Sequence, residues 1–246
     1  MTTPPSDTVK FGPVKGRGAI GNPDGRFERY RREALDDGWP ELSDSEVGAP
    51  RTELTAEATR TILATNESPD VPFDRSVNPY KGCEHGCIYC FARPTHAYLG
   101  LSPGRDFETR LRYKPDAAAK LAALFAARTY RPRLIALGAN TDPYQPAERR
   151  LGITREILEV CRRYNHPVSI VTKSALVLRD ADILADMAGD NLVEVCISLT
   201  TLDTGLARIM EPRATAPAAG DHRGVVCGHC TGDGSRLADD TGYQRP

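Results

Sequence analysis

From Ser76 onward the sequence alternates between short β-branched runs and stretches of helical periodicity, and this alternation narrows the fold more than any other feature. A strand is expected over DRSVNPY (74–80), leading into a cysteine-rich loop. KPDAAAKLAALFAAR (114–128) reads as an Ala/Leu helix and RLIALGAN (133–140) as a strand. ITREILEVCRRYN (153–165) is amphipathic, with Ile153, Ile157, Leu158 and Cys161 at i, i+4, i+5 and i+8. PVSIVTKS (167–174) is the next strand and RDADILADMAG (179–189) a helix closed by Gly189. NLVEVCISLTT (191–201) and TLDTGLARIM (201–210) complete the series as strand and helix. Four such βα units imply an α/β fold with a parallel sheet, in which chemistry collects at the C-terminal ends of the strands. Those ends read NPYKGC, GANTDP, TKS and SLTT, all polar, and the first carries the cysteines.

The flanks read differently. Residues 1–50 are rich in Gly, Pro, Asp and Arg and are expected to form a flexible N-terminal arm, with a short helix over GRFERYRREALDDGW (25–39). TAEATRTIL (55–63) reads as a weak helix and SPDVPF (68–73) as a Pro-broken loop. After EPRATAPA the apolar content collapses, and residues 218–246 keep no period of 2 or 3.6.

Charge gives no global pull toward a polyanionic partner. With 32 Lys and Arg against 33 Asp and Glu, no global field draws the chain to nucleic acid or an anionic membrane. A local patch of Arg105, Arg110, Arg112, Arg128, Arg131 and Arg133 leaves nucleic-acid contact as a secondary reading. The N-terminal residues lack the apolar core of a signal peptide, and no run is long enough to span a bilayer. A cytoplasmic location is therefore expected, where thiols stay reduced. The seven cysteines then read as metal ligands or core residues rather than disulfides.

GCEHGCIYC places Cys83, Cys87 and Cys90 in a C-x3-C-x2-C array. Structural zinc wants four closed ligands, and His85 is the only local candidate for a fourth. A thioredoxin-type pair would use Cys87 and Cys90 but leave Cys83 unexplained. An iron–sulfur cluster takes four cysteines as a rule; a [4Fe–4S] cube on three leaves one iron open. Gly82 and Gly86 allow the backbone to wrap closely. Cys161 and Cys196 read as core, and His166, before Pro167, as structural. His96 and Tyr98 either line the substrate side of the loop or pack it.

The array, with Tyr89 just before the last cysteine, resembles the signature of the radical S-adenosylmethionine superfamily. The wider run NPYKGCEHGCIYCFARPTHAYLG, with LGANTDPYQPAERRLGITREILEV and HPVSIVTKSALVLRD, is similar to its spore photoproduct lyase-like, DNA repair photolyase-like subgroup. The resemblance implies a partial TIM-like barrel and a [4Fe–4S] cluster on Cys83, Cys87 and Cys90. It also implies S-adenosylmethionine at the open iron, cleaved by one electron from a donor such as flavodoxin or ferredoxin to a 5′-deoxyadenosyl radical. It gives Tyr89 to the adenine, and Asn140, Thr141 and Asp142 to the methionine amino group. Lys173 and Ser198 fall to the carboxylate and ribose. Asp142 before Pro143 is equally a turn starter, and Lys173 also reads as a solvated strand end.

Two departures qualify the resemblance. Where spore photoproduct lyase carries a hydrogen-donating cysteine this chain has Ala139, which favours radical generation over thymine-dimer repair. The family core implies six βα units, so four followed by an aberrant tail suggest truncation or a shifted reading frame, with activity expected to suffer. In the tail, His222, Cys227, His229 and Cys230 form a weak zinc motif. A non-enzymatic iron–sulfur or zinc protein, and a DNA-lesion-binding repair protein, are the competing classes.

Overall fold

The computed structural model describes residues 14–29 and 51–214. The expected tail, its Cys227 and Cys230, and residues 30–39 of the N-terminal helix lie outside the described residues. Residues 25–29 are not helical.

The main sheet has five strands in the order β2 (Leu63–Thr65), β3 (Arg75–Val77), β6 (Ile135–Leu137), β7 (Val168–Thr172) and β8 (Val193–Ile197). β3, β6, β7 and β8 run parallel, with Val77 opposite Leu137, Leu137 opposite Ile170, and Ile170 opposite Val195. β2 pairs antiparallel on the outside of β3. The α/β expectation with parallel strands therefore holds. All three residues of β6 are buried, as expected of a parallel strand covered on both faces. Helix α2 (Ala117–Phe125) packs on α4 (Ile153–Arg163), and α4 on α5 (Ala181–Gly189). The stripe read from the sequence faces inward: Ile153, Ile157, Leu158 and Cys161 are all buried. They join Val77, Leu121, Ile135, Leu137, Ile170 and Met187 in one core.

A second sheet was not foreseen. β1 (Glu53–Ala56) runs parallel to β5 (Arg110–Tyr113), and β4 (Tyr80–Lys81) pairs antiparallel on its other side. The expected single strand 74–80 is thus two strands in two sheets. The break falls at Asn78–Pro79, where proline has no N–H for a ladder. The weak helix expected over 55–63 is absent. Its ends belong to β1 and β2, in keeping with the β-branched Thr55, Thr59, Thr61 and Ile62.

The remaining helices are α1 (Asp106–Thr109), α3 (Glu148–Leu151) and α6 (Thr204–Met210). Asp203 caps α6, accepting from Gly205 N at 2.7 Å and Leu206 N at 2.9 Å. The left-handed residue after α5 is Asn191, not Gly189. Among the described residues no helix is long and apolar enough to cross a membrane.

Candidate metal centre

The cysteine loop begins directly after β4, beside the C-terminal ends of the parallel strands. Gly82 opens it at φ +82°, and a Cβ there would lie 2.8 Å from Phe107 O. Cys83 and Cys87 are buried and Cys90 is half-buried. Cys83 N donates to Phe107 O at 2.9 Å, and Cys90 N to Cys87 O at 3.3 Å.

Buried polar groups hold the loop. Gln145, fully buried, accepts from Glu84 N at 2.9 Å and donates to Gly82 O at 3.2 Å. The Glu84 carboxylate accepts from Thr52 Oγ1 at 2.5 Å and pairs with Arg213 at 3.3 Å. Arg93 donates twice to Cys87 O, at 3.2 and 2.9 Å. From the other side, Ile88 N donates to Met210 O at 3.0 Å and Arg213 N to His85 O at 3.1 Å. The segment after α6 is thereby tied to the loop.

The three sulfurs suit a cation-rich group. Burial pushes the Cys83 thiol well above its ordinary value and the Cys87 thiol up to about 12. Both therefore remain thiols until a metal replaces the proton. Backbone hydrogen bonding from His85 and Asp142 pulls the Cys83 thiol the other way, in favour of a thiolate, without outweighing burial. His85 Nε2 lies 3.2 Å from Asp142 Oδ2 without the alignment of a hydrogen bond. Its Nδ1 lies 3.4 Å from Arg213 O. Among the described residues no three Cys, His, Asp or Glu side chains converge on one point, as a single tetrahedral ion requires. Three thiols on one glycine-flanked loop fit the donor set of a cluster.

The residues expected to meet a cofactor fall into two groups. Asp142 ties strand ends together: Oδ1 accepts from Thr172 Oγ1 at 2.7 Å and Tyr144 N at 2.8 Å, and Oδ2 from Lys173 N at 2.8 Å. Burial would push this carboxyl up, but His85 and those donors outweigh it and hold it below the usual carboxylate range. Thr141 is buried and donates to Tyr80 O at 3.0 Å, and Asn140 N donates to Asn78 Oδ1 at 3.1 Å.

The second group converges at the ends of β7 and β8. Lys173 Nζ donates to Ser198 Oγ at 2.8 Å and lies 5.4 Å from the centre of the Tyr89 ring. Tyr89 OH is 2.7 Å from Thr200 Oγ1. One residue that the sequence reading missed organises them. The buried Glu211 carboxylate accepts from Tyr89 OH and Thr200 Oγ1, and Lys173 Nζ lies 3.0 Å from it. Burial alone would pull the Lys173 ammonium down, but Tyr89 and Glu211 outweigh it and hold it above its ordinary value. Glu211 stands just after α6, 38 residues beyond Lys173 in sequence (211 − 173), so no local motif announces the pairing.

The other candidates fall outside this arrangement. His96 packs the loop, buried against Phe107 with ring centres 5.4 Å apart and Nε2 3.0 Å from Arg110 O. Tyr98 is exposed against Phe27. Among the arginines, Arg110 faces Glu53 at 3.8 Å and Arg133 pairs with Asp74 at 2.5 Å. Cys161 is fully buried and Cys196 half-buried within β8.

The chain matches the Radical SAM superfamily over residues 77–218. The uncharacterized protein Rv2578c of Mycobacterium tuberculosis is 41% identical over 159 residues, 63% of this chain and 47% of that protein. The uncharacterized protein ORF301 of Acidianus two-tailed virus is 28% identical over 142 residues, covering 56% and 46%. The uncharacterized protein MJ0683 of Methanocaldococcus jannaschii is 27% identical over 136 residues, covering 55% and 48%. The chain spans about half the length of the curated relatives it matches. No solved structure matches it. The superfamily match covers more than half of the chain and takes in the cysteine loop and all four parallel strands but the first two residues of β3; this chain belongs to the radical SAM superfamily.

Proposed function

We propose that the chain is a radical S-adenosylmethionine enzyme whose Cys83, Cys87 and Cys90 hold a [4Fe–4S] cluster with one iron open to the cofactor. When bound, the pair supplies one-electron cleavage of S-adenosylmethionine to a 5′-deoxyadenosyl radical, the electron coming from a small donor such as flavodoxin or ferredoxin. The observation that carries the reading is the convergence of Lys173, Ser198, Thr200 and Tyr89 at the strand ends beside the three cysteines. The chain's own residues have plain tasks. Lys173 offers an ammonium to a carboxylate. Ser198 and Thr200 offer hydroxyls to a ribose, and the exposed Tyr89 ring offers a face to an adenine. Asp142 keeps the ends of β6 and β7 in register beneath them.

The spore photoproduct lyase-like subgroup is part of the proposal, with Ala139 in place of the cysteine donor and hence a different final hydrogen return. So is a six-unit barrel: the outer edge of β8, which no described strand pairs, and the exposed Leu202, Leu206 and Ile209 around α6 are where further units would pack.

The test is electron paramagnetic resonance on anaerobically reconstituted, dithionite-reduced protein, with and without S-adenosylmethionine. A reduced-cluster signal that shifts on adding the cofactor is the expected result, and Lys173→Met should keep the signal but lose the shift. A signal indifferent to the cofactor in the wild-type chain, or no cluster at all, overturns the proposal.

A further inference from the structure

The superfamily match begins at residue 77, yet a segment far upstream lies on the cysteine loop. Gly18 packs so closely against the loop that a Cβ there would stand 1.8 Å from Gly86 O. The contact is fastened by Glu108 in α1, which is completely buried. Its Oε2 accepts from Gly18 N at 3.1 Å, and its Oε1 from Ala19 N at 2.9 Å and from Arg93 Nη2 at 2.6 Å. Arg93 is the side chain that donates twice to Cys87 O, and its third nitrogen reaches Gly104 O at 3.1 Å. One carboxylate thus joins the upstream segment to the carbonyl of a cluster cysteine.

The segment is anchored again further along. Asn22 Nδ2 donates to Asp106 Oδ1 at 2.9 Å, and Asp106 N donates back to Asn22 Oδ1 at 2.9 Å. Ser102 Oγ donates to Pro23 O at 2.6 Å, and Arg105 N to Gly21 O at 2.9 Å. Among the described residues, the apolar cluster beneath the loop holds only Cys83, Ala92 and Phe107, with Cys90 packed against it. So small a cluster supplies little ordering by burial alone, and the loop's geometry has to come from directional bonds.

We propose that residues 17–23 form a clamp on the cluster loop and that Glu108 is its positioning residue, setting Cys87 through Arg93 and closing the outer side of the loop against water. The proposal rests on the cluster reading above. It assigns a role to residues upstream of the matched superfamily region, and to a buried carboxylate outside the cysteine loop.

The test uses the full chain reconstituted anaerobically as wild type, Glu108→Gln and Gly18→Ala. Three properties are read: the resonance spectrum of the reduced cluster without cofactor, the rate of cluster bleaching in air, and amide hydrogen exchange of residues 83–90. Both variants should take up iron, give a shifted spectrum, and bleach roughly ten- to a hundredfold faster, the scale of a lost charged hydrogen bond. Asn22→Ala, which loosens the clamp without touching the loop, should show the same changes to a lesser degree and keeps the test open should Glu108→Gln fail to fold. Spectra, bleaching and exchange equal to wild type in Gly18→Ala and Asn22→Ala overturn the clamp. If wild type itself takes up no iron, the cluster reading falls. Exchange in the iron-free chain then decides the clamp alone: faster exchange of 83–90 in Gly18→Ala supports it, and unchanged exchange overturns it.

Discussion

Around β6 and β7 the side chains that meet are aliphatic: Ile135, Leu137, Ile157, Leu158 and Ile170 are all essentially inaccessible. Around the cysteine loop, equally inaccessible, they are Glu84, His85, Glu108 and Gln145. The first region is held by burial, which has no direction and adds with area. The second is held by charges and amides that hold only with their partners in place, since a buried group left alone costs several times what the pair contributes. A sheet core can therefore be assembled from any well-patterned sequence, whereas the site loop depends on particular residues arriving from distant segments.

The comparison can be broken from either end. The largest effect should come from Cys83→Ala, Cys87→Ala or Cys90→Ala, each reducing bound iron to background while far-ultraviolet circular dichroism stays that of the wild-type fold. Loss of the fold together with the iron would mean that loop and core are one unit. Next in size, Leu158→Ala should cost about 2–5 kcal/mol in denaturant unfolding through the cavity it leaves. Iron bound per folded chain should not change. A loop that loses its metal with this core truncation would erase the distinction drawn here.

The smallest effect sharpens the boundary between the two modes. His166 is buried in a ring cluster, stacked on Phe125 with centres 4.1 Å apart and 2.8 Å from Tyr130 OH. Burial, together with the nearby Arg75, lowers its proton affinity below the ordinary histidine value. The unfolded chain then binds a proton more readily, so the contribution is complete above about pH 6.5 and is lost as the pH falls below it. His166→Phe should flatten the decline of the melting temperature between neutral and mildly acidic pH. An unchanged slope would assign the decline to other groups.

Much of the core was legible because its signals are local. The i, i+4, i+5, i+8 stripe of α4 and the β-branched run of β7 each state their burial within a few residues. The small sheet was not legible, because ELTA and RLRY become strands only by pairing with each other, Glu53 opposite Arg110 and Ala56 opposite Tyr113. Neither carries a strand signature alone. The site divided along the same line. Lys173 and Ser198 stand at strand ends that the alternation marks out. Glu211 and Glu108 look like ordinary charged residues in helical surroundings, and only their burial distinguishes them.

By itself, then, the sequence determined the parallel α/β order, the faces of its helices and the three thiols on one loop, because periodicity and spacing are properties of neighbouring residues. Tertiary structure alone decided which distant carboxylates stand behind Cys87 and Lys173, how Asn78–Pro79 divides a strand between two sheets, and that Gly18 lies against Gly86. Those choices depend on contacts closed across the whole chain, and a buried charge acquires its meaning only when the fold supplies its partner.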